Sequence, residues 1–541
     1  MDNRKFILKM ARKNYPKNGT HSLSHVLEVA ENAEKISGFL KGDGRECELA
    51  YITGLMHDWE RYVENHSEKS AQKAGELLGE WKTNFNDGEK ARIVNGIRMH
   101  GKIPQTNSDI VQISVFLADK KEQLEGIIWR RNLYLREILD EFNEEKILEY
   151  WLERRRFTEE WLSIHGTVMF KLFPGSEKGW KEVREYVEKL EKKDEKAWEK
   201  VKFCFRNPHL SNEEIENKWK RNDFSISVSS PTKLILFGEH YVVYGCPGIA
   251  IPVNIRNGVC ISPIGGSEDV IEAERIWKNY LRKILPLLKA NLGIGEKEKF
   301  RIKLKLGGGF KGMGNSASVS SALALAFGTY SMKKMDYEKL FNATLEGEKV
   351  AHSGKASGID PATVIRGKPL QFEKKEEKME TNELKIKLPK NAILLAINTL
   401  KEGEQASSTK EMVEKFALSK KGIEEYESIF QKAISLLKTD GKSKGKFDSQ
   451  ENAGNGKILG ELVNRNHELL KENGMSTETI EDIRKRLLEE KGVFGVKISG
   501  AGGRGGAMIA LIERNSADLI QKKFTNSFIV EIEKQGTRLE K

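Results

Sequence analysis

Apolar residues recur at spacings of three and four along residues 1–200, where β-branched runs and glycines are scarce. This periodicity predicts helices, because a helix of 3.6 residues per turn brings such positions onto one face. From Phe224 the pattern changes: FSISVSS alternates like a strand, KLILF follows, and glycines cluster at 307–309, 312–314 and 500–506. Strands that alternate with helices predict an α/β or α+β architecture. The chain is therefore expected to have a helical part followed by a mixed part.

Two strongly polar segments predict connections rather than core elements. Residues 176–223 are densely charged, which is typical of a solvent-exposed face, so we expect exposed helices there that end in a linker. Residues 438–457, KTDGKSKGKFDSQENAGNGK, are of low complexity and predict a loop between two helices.

Length and composition narrow the class of protein. At about 150 residues per domain, 541 residues predict three to four structural domains. The 91 Lys and Arg residues exceed the 80 Asp and Glu residues by 11, and both signs are interspersed. This mild excess gives no reason to expect binding to nucleic acid or to a membrane surface.

The remaining composition favours a cytoplasmic protein. No apolar run approaches the ~20 residues of a membrane span, and the first residues lack the apolar core of a signal peptide. The four cysteines are scattered without a CxxC pair, so we expect neither a disulfide framework nor a zinc knuckle.

Three motifs in residues 231–506 suit the binding of phosphate groups. The first, PTKLILFGEHYVVYG (231–245), predicts a strand that ends in Gly-Glu-His and places polar side chains at the mouth of a sheet. The second, GGGFKGMGNSAS (307–318), is a glycine loop that leads into a helix, and backbone N–H groups at such a junction bind anions. The third, KISGAGGRGG (497–506), is a glycine loop between apolar strands. Each loop alone is also explained by a tight turn, so the signal is the presence of all three in order.

In this order the motifs resemble the signature motifs of the GHMP kinase superfamily, and within it LILFGEHYVVYG is similar to the mevalonate kinases. The segments EKVAHSGKASGIDPAT (348–363) and LGELVNRNHELLKENGMS (459–476) are also similar to family segments. The resemblance covers roughly residues 224–541. It implies an α+β fold of two lobes, at 224–390 and 391–541, with ATP between them.

The resemblance also implies roles for individual residues. Lys233 would lie near the reacting hydroxyl, where a cation offsets charge on the γ-phosphate, and Asp360 would accept or orient the hydroxyl proton. Ser316 and Glu348 would hold Mg²⁺. Three residues would shape the acceptor side: Glu239, His240 and Thr363. The ATP phosphates would lie on Gly312, Met313, Gly314, Asn315, Ser316, Ala317, Ser318, Gly500 and Gly502.

Histidines and aspartates occur in residues 20–130 where the helical pattern is otherwise apolar. His57 and Asp58 close the apolar stretch LAYITGLMHD, and His25 lies on the apolar face of a predicted helix. The set is His25, His57, Asp58, His66, His100 and Asp119. Inward imidazoles and carboxylates are costly unless something compensates them, and a metal ion is one compensation. An ordinary buried or surface histidine explains any one of these positions alone.

These six positions, in order, resemble the ligands of the HD-domain metal-dependent phosphohydrolases, most closely those with six ligands and two metals. The resemblance implies an all-α domain over residues 1–175 that binds a divalent transition metal (Mn, Fe, Co or Zn). The first metal would be held by His25, His57, Asp58 and Asp119. His66 and His100 would be additional ligands of a second metal. His21 is expected to lie outside the ligands, either behind them or exposed. A metal-activated water would then attack a phosphate ester or anhydride. The sequence does not indicate which phosphate compound is the substrate.

The combined prediction is a multidomain enzyme with an all-α HD domain, a charged helical linker at 176–223 and an α+β GHMP kinase fold of two lobes. Its expected activity is the ATP-dependent phosphorylation of mevalonate to 5-phosphomevalonate. Three alternatives stay open: another small hydroxylated acceptor, a dominant phosphohydrolase with an auxiliary kinase half, and a nucleotide sensor that binds without turnover. The expected partners are small-molecule substrates, and a homodimer is left open.

Overall fold

The helical pattern gives way to the mixed pattern at the same place in the chain where the computed structural model divides. Its two units are Met1–Phe224 and Ser225–Lys541. The structure describes residues 2–540 except 17–20, 62, 353, 355, 376–377, 402–403, 408, 418 and 439–448. Half of the loop predicted at 438–457, residues 439–448, therefore lies outside the described residues, and residues 449–457 are helical rather than part of a loop. Across the described ranges, no helix has the length and apolar character to cross a membrane.

The N-terminal unit is built from helices and one short 3₁₀ turn, Lys121–Leu124. Its helices are α1 (Asn3–Asn14), α2 (Leu23–Phe39), α3 (Gly44–Met56), α4 (His66–Glu80), α5 (Asp87–Met99), α6 (Ile110–Lys120), α7 (Ile128–Ile138), α8 (Glu144–Leu172), α9 (Ser176–Glu191), α10 (Glu195–Arg206) and α11 (Asn212–Lys220). Helix α2 packs on α3 and α6, and α5 packs on α3, α4 and α6. Capping boxes at Asp43 and Asn86 fix where α3 and α5 begin. This arrangement places His57 and His100 at the C-terminal ends of α3 and α5.

Residues 176–223 form helices as predicted, but the expectation that these helices are exposed is wrong. Helix α9 buries Trp180, Val183 and Val187, whose spacing of three and four places them on one face. These side chains join a core cluster that contains Trp151 and Trp161 of α8. The charges that dominate this segment cover only the outer face of amphipathic helices, so the segment belongs to the N-terminal unit.

The C-terminal unit combines two antiparallel-rich sheets with helices. Its strands are β1 (Ile226–Phe237), β2 (Gly248–Ile264), β3 (Val270–Glu272), β4 (Lys299–Lys305), β5 (Leu370–Lys375), β6 (Lys378–Glu383), β7 (Ala392–Asn398), β8 (Val493–Ser499), β9 (Ala507–Glu513), β10 (Ser527–Val530) and β11 (Arg538–Leu539). Its helices are α12 (Arg275–Asn291), α13 (Asn315–Tyr330), α14 (Tyr337–Ala351), α15 (Ile359–Arg366), α16 (Thr409–Lys415), α17 (Lys420–Leu437), α18 (Ser449–Glu472), α19 (Glu478–Leu488) and α20 (Ala517–Lys523). Short 3₁₀ helices occur at His240–Tyr244 and Arg514–Ser516.

The first sheet has the order β11-β1-β2-β4-β3, and β5 pairs with β2 and with β6. Helix α13 packs on β1 and β2. It is rich in alanine and serine, and its buried residues surround the helix, so the backbone of α13 can approach the sheet closely. The hydroxyl of Ser318 donates to the carbonyl oxygen of Ser230 on β1 at 2.9 Å, which fixes this packing.

The second sheet has the order β10-β7-β9-β8. It begins at Ala392, close to the predicted start of the second lobe at residue 391. The end of the chain does not follow the predicted division into two lobes, because β11 belongs to the first sheet and pairs Leu539 with Val228. The three glycine-containing motifs lie after β1, before α13 and between β8 and β9.

Candidate functional site

A lysine and an aspartate from different elements meet at the start of α13. Nζ of Lys233, on β1, lies 3.2 Å from Oδ1 of Asp360, in the first turn of α15. The lysine side chain is 5% exposed and the aspartate side chain 23%, so the carboxylate is the more accessible member of the pair. Such a pair can offer a cation to a developing negative charge and a carboxylate to a proton.

Gly314 brings the second glycine motif directly against this pair. It is the N-cap of α13 and has a φ of +68°, a conformation that favours glycine. A Cβ atom at this position would lie 3.0 Å from Cε of Lys233 and 3.3 Å from Oδ2 of Asp360. The N-terminus of α13, with its unpaired N–H groups, is therefore held beside the Lys233–Asp360 pair, where an anion can bind.

The set of backbone N–H groups available to phosphate is narrower than the sequence predicts. The N–H of Ser318 donates to the carbonyl oxygen of Gly314 at 3.0 Å, and that of Met313 to the carbonyl oxygen of Phe310 at 3.2 Å. Met313 and Ser318 therefore leave the predicted phosphate-binding set. The N–H groups of 314–317 have no acceptor within the helix by its geometry.

The third glycine motif lies against the second. A Cβ at Gly500 would lie 3.6 Å from the carbonyl oxygen of Gly312, and Gly500 has a φ of +86°. Gly502 has a φ of +70°, and a Cβ there would lie 2.6 Å from the carbonyl oxygen of Met475. Both glycines are required by conformation, and the loop between β8 and β9 forms one wall of the site.

Glu348 and Ser316 lie on helices that Tyr280 joins. The Tyr280 hydroxyl is 3.0 Å from the carbonyl oxygen of Gly347, on α14, and 3.5 Å from that of Ser316, on α13. Glu348 is 3% exposed, and its Oε1 has no hydrogen-bond partner among the described residues. Its Oε2 lies 3.4 Å from Nε2 of His352, and this pairing raises the pKa of His352. A buried carboxylate oxygen without a partner fits a hard divalent cation such as Mg²⁺.

Comparisons with known proteins agree with this arrangement. The family model "GHMP kinases N terminal domain" matches residues 279–368, and "GHMP kinases C terminal" matches residues 449–530. The C-terminal unit carries a GHMP kinase domain. The two matched ranges contain the second and third glycine motifs together with Glu348 and Asp360.

Curated relatives match the kinase domain over nearly their whole length. A mevalonate kinase of Thermococcus gammatolerans is 28% identical over 358 residues, which cover 58% of this chain and 98% of that protein. A mevalonate kinase of Pyrococcus abyssi is 29% identical over 360 residues, with the same coverage of both chains. Among solved structures, L. major mevalonate kinase in complex with R-mevalonate matches 57% of this chain and 96% of that chain at 21% identity, with a TM-score of 0.48.

The three residues predicted to shape the acceptor side are buried and bonded within the kinase domain. The Thr363 hydroxyl donates to the carbonyl oxygen of Ile359 one turn earlier in α15, at 2.8 Å. His240 is 4% exposed, stacks on Phe416, and places Nε2 2.8 Å from the carbonyl oxygen of Ala501. Burial lowers the pKa of His240, so its neutral ring donates to Ala501. Oε2 of Glu239 is buried without a hydrogen-bond partner among the described residues, and the assignment of Glu239, His240 and Thr363 to the acceptor stays a prediction.

Glu239 forms a buried ion pair with Lys497 of β8, a contact that the sequence did not predict. Both side chains are 0% exposed, and Lys497 also donates to the carbonyl oxygen of Ile498 at 2.6 Å. Burial raises the pKa of Glu239 and lowers that of Lys497, while their mutual attraction opposes both shifts. The pair joins the segment after β1 to the strand that carries the third glycine motif. Its role is to hold these two motifs together.

In the N-terminal unit the six predicted residues meet at one place, together with His21. The candidate ligand atoms form three groups, and within each group all atoms lie within 4.8 Å of one another. These groups are His25, His57 and Asp119; Asp58, His66 and His100; and His21, His25 and Asp58. Nδ1 of His21 is 3.0 Å from Oδ2 of Asp58, which agrees with the expected place behind the ligands and not with an exposed one.

Asp58 lies between the two predicted sets and presents one oxygen to each. Its Oδ2 is 3.5 Å from Nε2 of His57. Its Oδ1 is 3.7 Å from Nε2 of His100 and 3.8 Å from Nε2 of His66. Nε2 of His25 and Nε2 of His57 lie 3.6 and 3.7 Å from Oδ1 of Asp119. Asp58 is thus shared by both sets rather than restricted to the first.

The histidines are held in the tautomer that ligates a metal through Nε2. Nδ1 of His57 lies 2.8 Å from the carbonyl oxygen of Gly54, and Nδ1 of His100 lies 2.6 Å from that of Ile97. A carbonyl oxygen only accepts, so each Nδ1 carries the proton and each Nε2 keeps its lone pair. Burial lowers the pKa of His100 to about 4, which keeps this ring neutral.

Several ligand atoms of this cluster lack partners, while a basic side chain lies beside each of its two sets. Nε2 of His25, Nε2 of His57 and Oδ1 of Asp58 are buried without a hydrogen-bond partner in the described part of the chain. Such atoms are costly unless a metal ion binds them, and imidazole with carboxylate suits a divalent transition metal. Nη1 of Arg61 lies 2.7 Å from Nε2 of His66, so a second metal requires Arg61 to move. In the set around His57, Lys120 pairs with Oδ2 of Asp119, while Oδ1 of Asp119 faces His25 and His57 and stays available to a metal.

A pocket of about 340 Å³ opens over this cluster. Four of the histidines and Asp119 line it. So do five basic residues from four segments of the unit: Arg61, Lys120, Arg130, Arg131 and Arg154. The pocket therefore presents positive charge above a set of candidate metal ligands, which suits an anionic molecule.

Proposed function

We propose that the kinase domain phosphorylates mevalonate with ATP and yields 5-phosphomevalonate and ADP. The observation that carries the proposal is the Lys233–Asp360 pair, with 3.2 Å between Nζ and Oδ1, at the N-terminus of α13. The mevalonate kinases of Thermococcus gammatolerans and Pyrococcus abyssi, each matched over 98% of its length, support the choice of acceptor.

The proposed reaction is an in-line transfer that these side chains assist. The acceptor hydroxyl oxygen bonds to the γ-phosphorus as its proton passes to the carboxylate of Asp360, and the bond from the γ-phosphorus to the β,γ-bridging oxygen breaks to release ADP. Lys233 stabilises the negative charge that develops on the attacking oxygen and on the transferred group. The N–H groups at the start of α13 bind the phosphates and hold them in line.

Ser316 and Glu348 are the residues that would hold Mg²⁺. When bound, the ion supplies charge neutralisation for the phosphate oxygens. The unpartnered Oε1 of Glu348 supports this assignment.

The acceptor is tested by incubating the full chain with ATP, Mg²⁺ and one of several candidate acceptors. Mevalonate, 5-phosphomevalonate, galactose and homoserine form a suitable panel, with product identified by ³¹P NMR. We expect a new phosphomonoester signal with mevalonate and background ADP release with the others. A signal with a different member of the panel would retain the kinase and reject mevalonate as its acceptor.

A second candidate function is carried by the N-terminal cluster. We infer that the N-terminal unit is a metal-dependent phosphohydrolase of the HD type, with His25, His57, Asp58 and Asp119 as ligands of one metal. The unpartnered ligand atoms and the basic pocket above them support this inference. A divalent transition metal, when bound, would lower the pKa of a coordinated water to about 7. The pocket arginines and Lys120 would bind the phosphate that is attacked.

The hydrolase is tested with p-nitrophenyl phosphate and bis(p-nitrophenyl) phosphate in the presence of Mn²⁺. The test is made in the Asp360→Asn variant, in which the kinase site should be disabled, so that any hydrolysis comes from the N-terminal unit. Hydrolysis that persists in Asp360→Asn and is lost on adding His57→Ala would support the proposal. Hydrolysis that survives His57→Ala would contradict it.

A further inference from the structure

Three arginines line the N-terminal pocket but are not among its candidate metal ligands. Arg130 and Arg131 come from α7, and Arg154 comes from α8. All three line the pocket and are partly exposed. Neither the fold nor the cluster of candidate ligands explains why three guanidinium groups converge here.

Two of the arginines are oriented by one tyrosine hydroxyl. Nη1 of Arg131 and Nε of Arg154 each donate to Oη of Tyr150 at 3.3 Å. The phenol oxygen accepts both bonds and holds two like-charged groups near each other. Their remaining N–H donors can bond to a ligand in the pocket.

The negative charge around the three arginines is insufficient to balance them. The carboxylate of Glu122 contacts two of them, at 3.6 Å from Nη1 of Arg130 and 3.8 Å from Nη2 of Arg131. Within the described ranges, Arg154 has no carboxylate in an ion pair. Three cations therefore face one anion, and partly buried positive charge of this kind is stabilised by a bound anion.

Glu122 also relates this group to the candidate metal ligands. Its Oε2 lies 3.9 Å from Nδ1 of His25, so one carboxylate separates the arginines from the cluster. A phosphate bound at the cluster and a phosphate bound at the arginines would thus be neighbours within one pocket of about 340 Å³.

We propose that Arg130, Arg131 and Arg154 form a subsite for a second phosphate group, so that the N-terminal pocket takes substrates with at least two phosphates, such as a bisphosphate or a polyphosphate chain. The proposal rests on the phosphohydrolase function proposed above for the same pocket. The phosphate to be cleaved lies at the metal cluster, and the second phosphate is bound by the arginines. Guanidinium groups suit this role because their planar sets of donors match phosphate oxygens in pairs.

The test compares one phosphate with several in the full-length chain, stripped of metal by a chelator so that no hydrolysis occurs. Dissociation constants for inorganic orthophosphate and inorganic triphosphate are measured by isothermal titration calorimetry. The variant is Arg154→Gln, and the matched control is Arg155→Gln, whose side chain pairs with Glu191 at 2.7 Å. Any triphosphate bound by the kinase domain is common to both proteins and cancels in the comparison.

We expect Arg154→Gln to weaken triphosphate binding at least tenfold, because a charge-assisted contact is lost. Orthophosphate, which has a single phosphate, should lose less affinity than triphosphate, and Arg155→Gln should bind both anions like the wild type. Equal triphosphate affinity in Arg154→Gln and Arg155→Gln would overturn the proposal. An equal loss for both anions would also overturn it, because the arginine would then bind the phosphate to be cleaved.

Two further measurements keep the outcome unambiguous. Circular dichroism melting shows whether Arg154→Gln is folded, and Arg130→Gln repeats the test if it is not. Failure of the phosphohydrolase proposal would appear as absent metal-dependent hydrolysis with the arginine effect intact. If hydrolysis is present while Arg154→Gln and Arg130→Gln both bind triphosphate normally, only the subsite is rejected.

Discussion

Nζ of Lys233 lies 3.2 Å from Oδ1 of Asp360, and Gly314 of the second glycine motif packs against both side chains because it has no side chain of its own. The lysine is anchored by its own backbone, whose N–H donates to the carbonyl oxygen of Met313 at 2.9 Å. The glycine loop, the strand β1 and the helix α15 therefore position one another. The reactive pair depends on backbone geometry as much as on the two charged residues.

Gly314→Ala should abolish kinase activity without unfolding the kinase domain. The new Cβ would lie 3.0 Å from two carbons of Lys233, and the φ of +68° is unfavourable for alanine. We expect kcat to fall at least 100-fold, and the rate of ADP release measures this. The control is Gly258→Ala on β2, where a Cβ would make ordinary contacts of 3.8 Å or more. Near-normal activity of Gly314→Ala would show that the loop is not pressed against the pair.

Removal of one partner of the buried Glu239–Lys497 pair should strongly destabilise the kinase domain. Lys497→Met leaves the carboxylate of Glu239 buried and unpaired, and changes of this kind cost roughly 3–5 kcal/mol in the free energy of unfolding. Adding Glu239→Gln to Lys497→Met should restore part of the loss, since no buried charge then remains. Hydrogen exchange of amides in β8 and β9 measures the effect. A double variant less stable than Lys497→Met would contradict this account of the pair.

The stability of the kinase domain should fall as the pH is lowered from 6.5 towards 4, through His467. This buried ring accepts from the N–H of Ile498 at 3.3 Å and lies 2.9 Å from Oε1 of Glu481. Burial lowers its pKa from 6.5 to about 4. The unfolded chain therefore binds more protons in this interval, so acid favours unfolding, by about 3 kcal/mol over the whole interval at 1.36 kcal/mol per pH unit.

His467→Gln provides the control for this pH dependence. Glutamine does not titrate, so the slope between pH 6.5 and 4.5 should be smaller in the variant than in the wild type. The measurement is again hydrogen exchange in β8 and β9, corrected for the intrinsic effect of pH. The same slope in both proteins would assign the acid sensitivity to other groups.

The sequence was informative where chemistry and spacing coincide. The glycine motifs were found because backbone–phosphate contacts restrict residue type, and such restrictions are visible in a single chain. Lys233 and Asp360 were identified by the resemblance of their segments to those of the GHMP kinases. Helical periodicity likewise placed His25 and His57 on inward faces. These residues do meet in the structure.

Other features were hidden because they depend on where side chains point after folding. The ion pair of Glu239 with Lys497 could not be predicted, because Lys497 comes from a strand far along the chain. His21 precedes α2, so helical spacing could not decide between a place behind the ligands and an exposed one, and only the fold shows its contact with Asp58. The apolar face of α9 could have been found from Trp180, Val183 and Val187, but the surrounding charge obscured it.

The N-terminal cluster should bind a divalent metal independently of the kinase site. His57→Ala removes an Nε2 atom that is buried and unpartnered, so we expect the bound transition metal to be lost. His209→Ala, an exposed position in the same unit, is the control and should retain the metal. Metal content is measured by mass spectrometry of the dialysed chain, and the kinase rate should change less than twofold. Full metal content in His57→Ala would refute the assignment of this ligand.

The central claim is that Asp360 accepts the proton of the mevalonate hydroxyl during phosphoryl transfer. It is tested most directly by the rate of ADP release from ATP and Mg²⁺, with and without mevalonate, for the wild type and for Asp360→Asn. Asparagine keeps the shape of the side chain but cannot accept the proton, and proton transfer of this kind contributes about 10²–10⁴-fold to a rate. We predict release that requires mevalonate in the wild type, at least a 100-fold loss in Asp360→Asn, and ATP binding that is retained. A wild-type rate that ignores mevalonate, or an Asp360→Asn variant that keeps its rate, would contradict the claim.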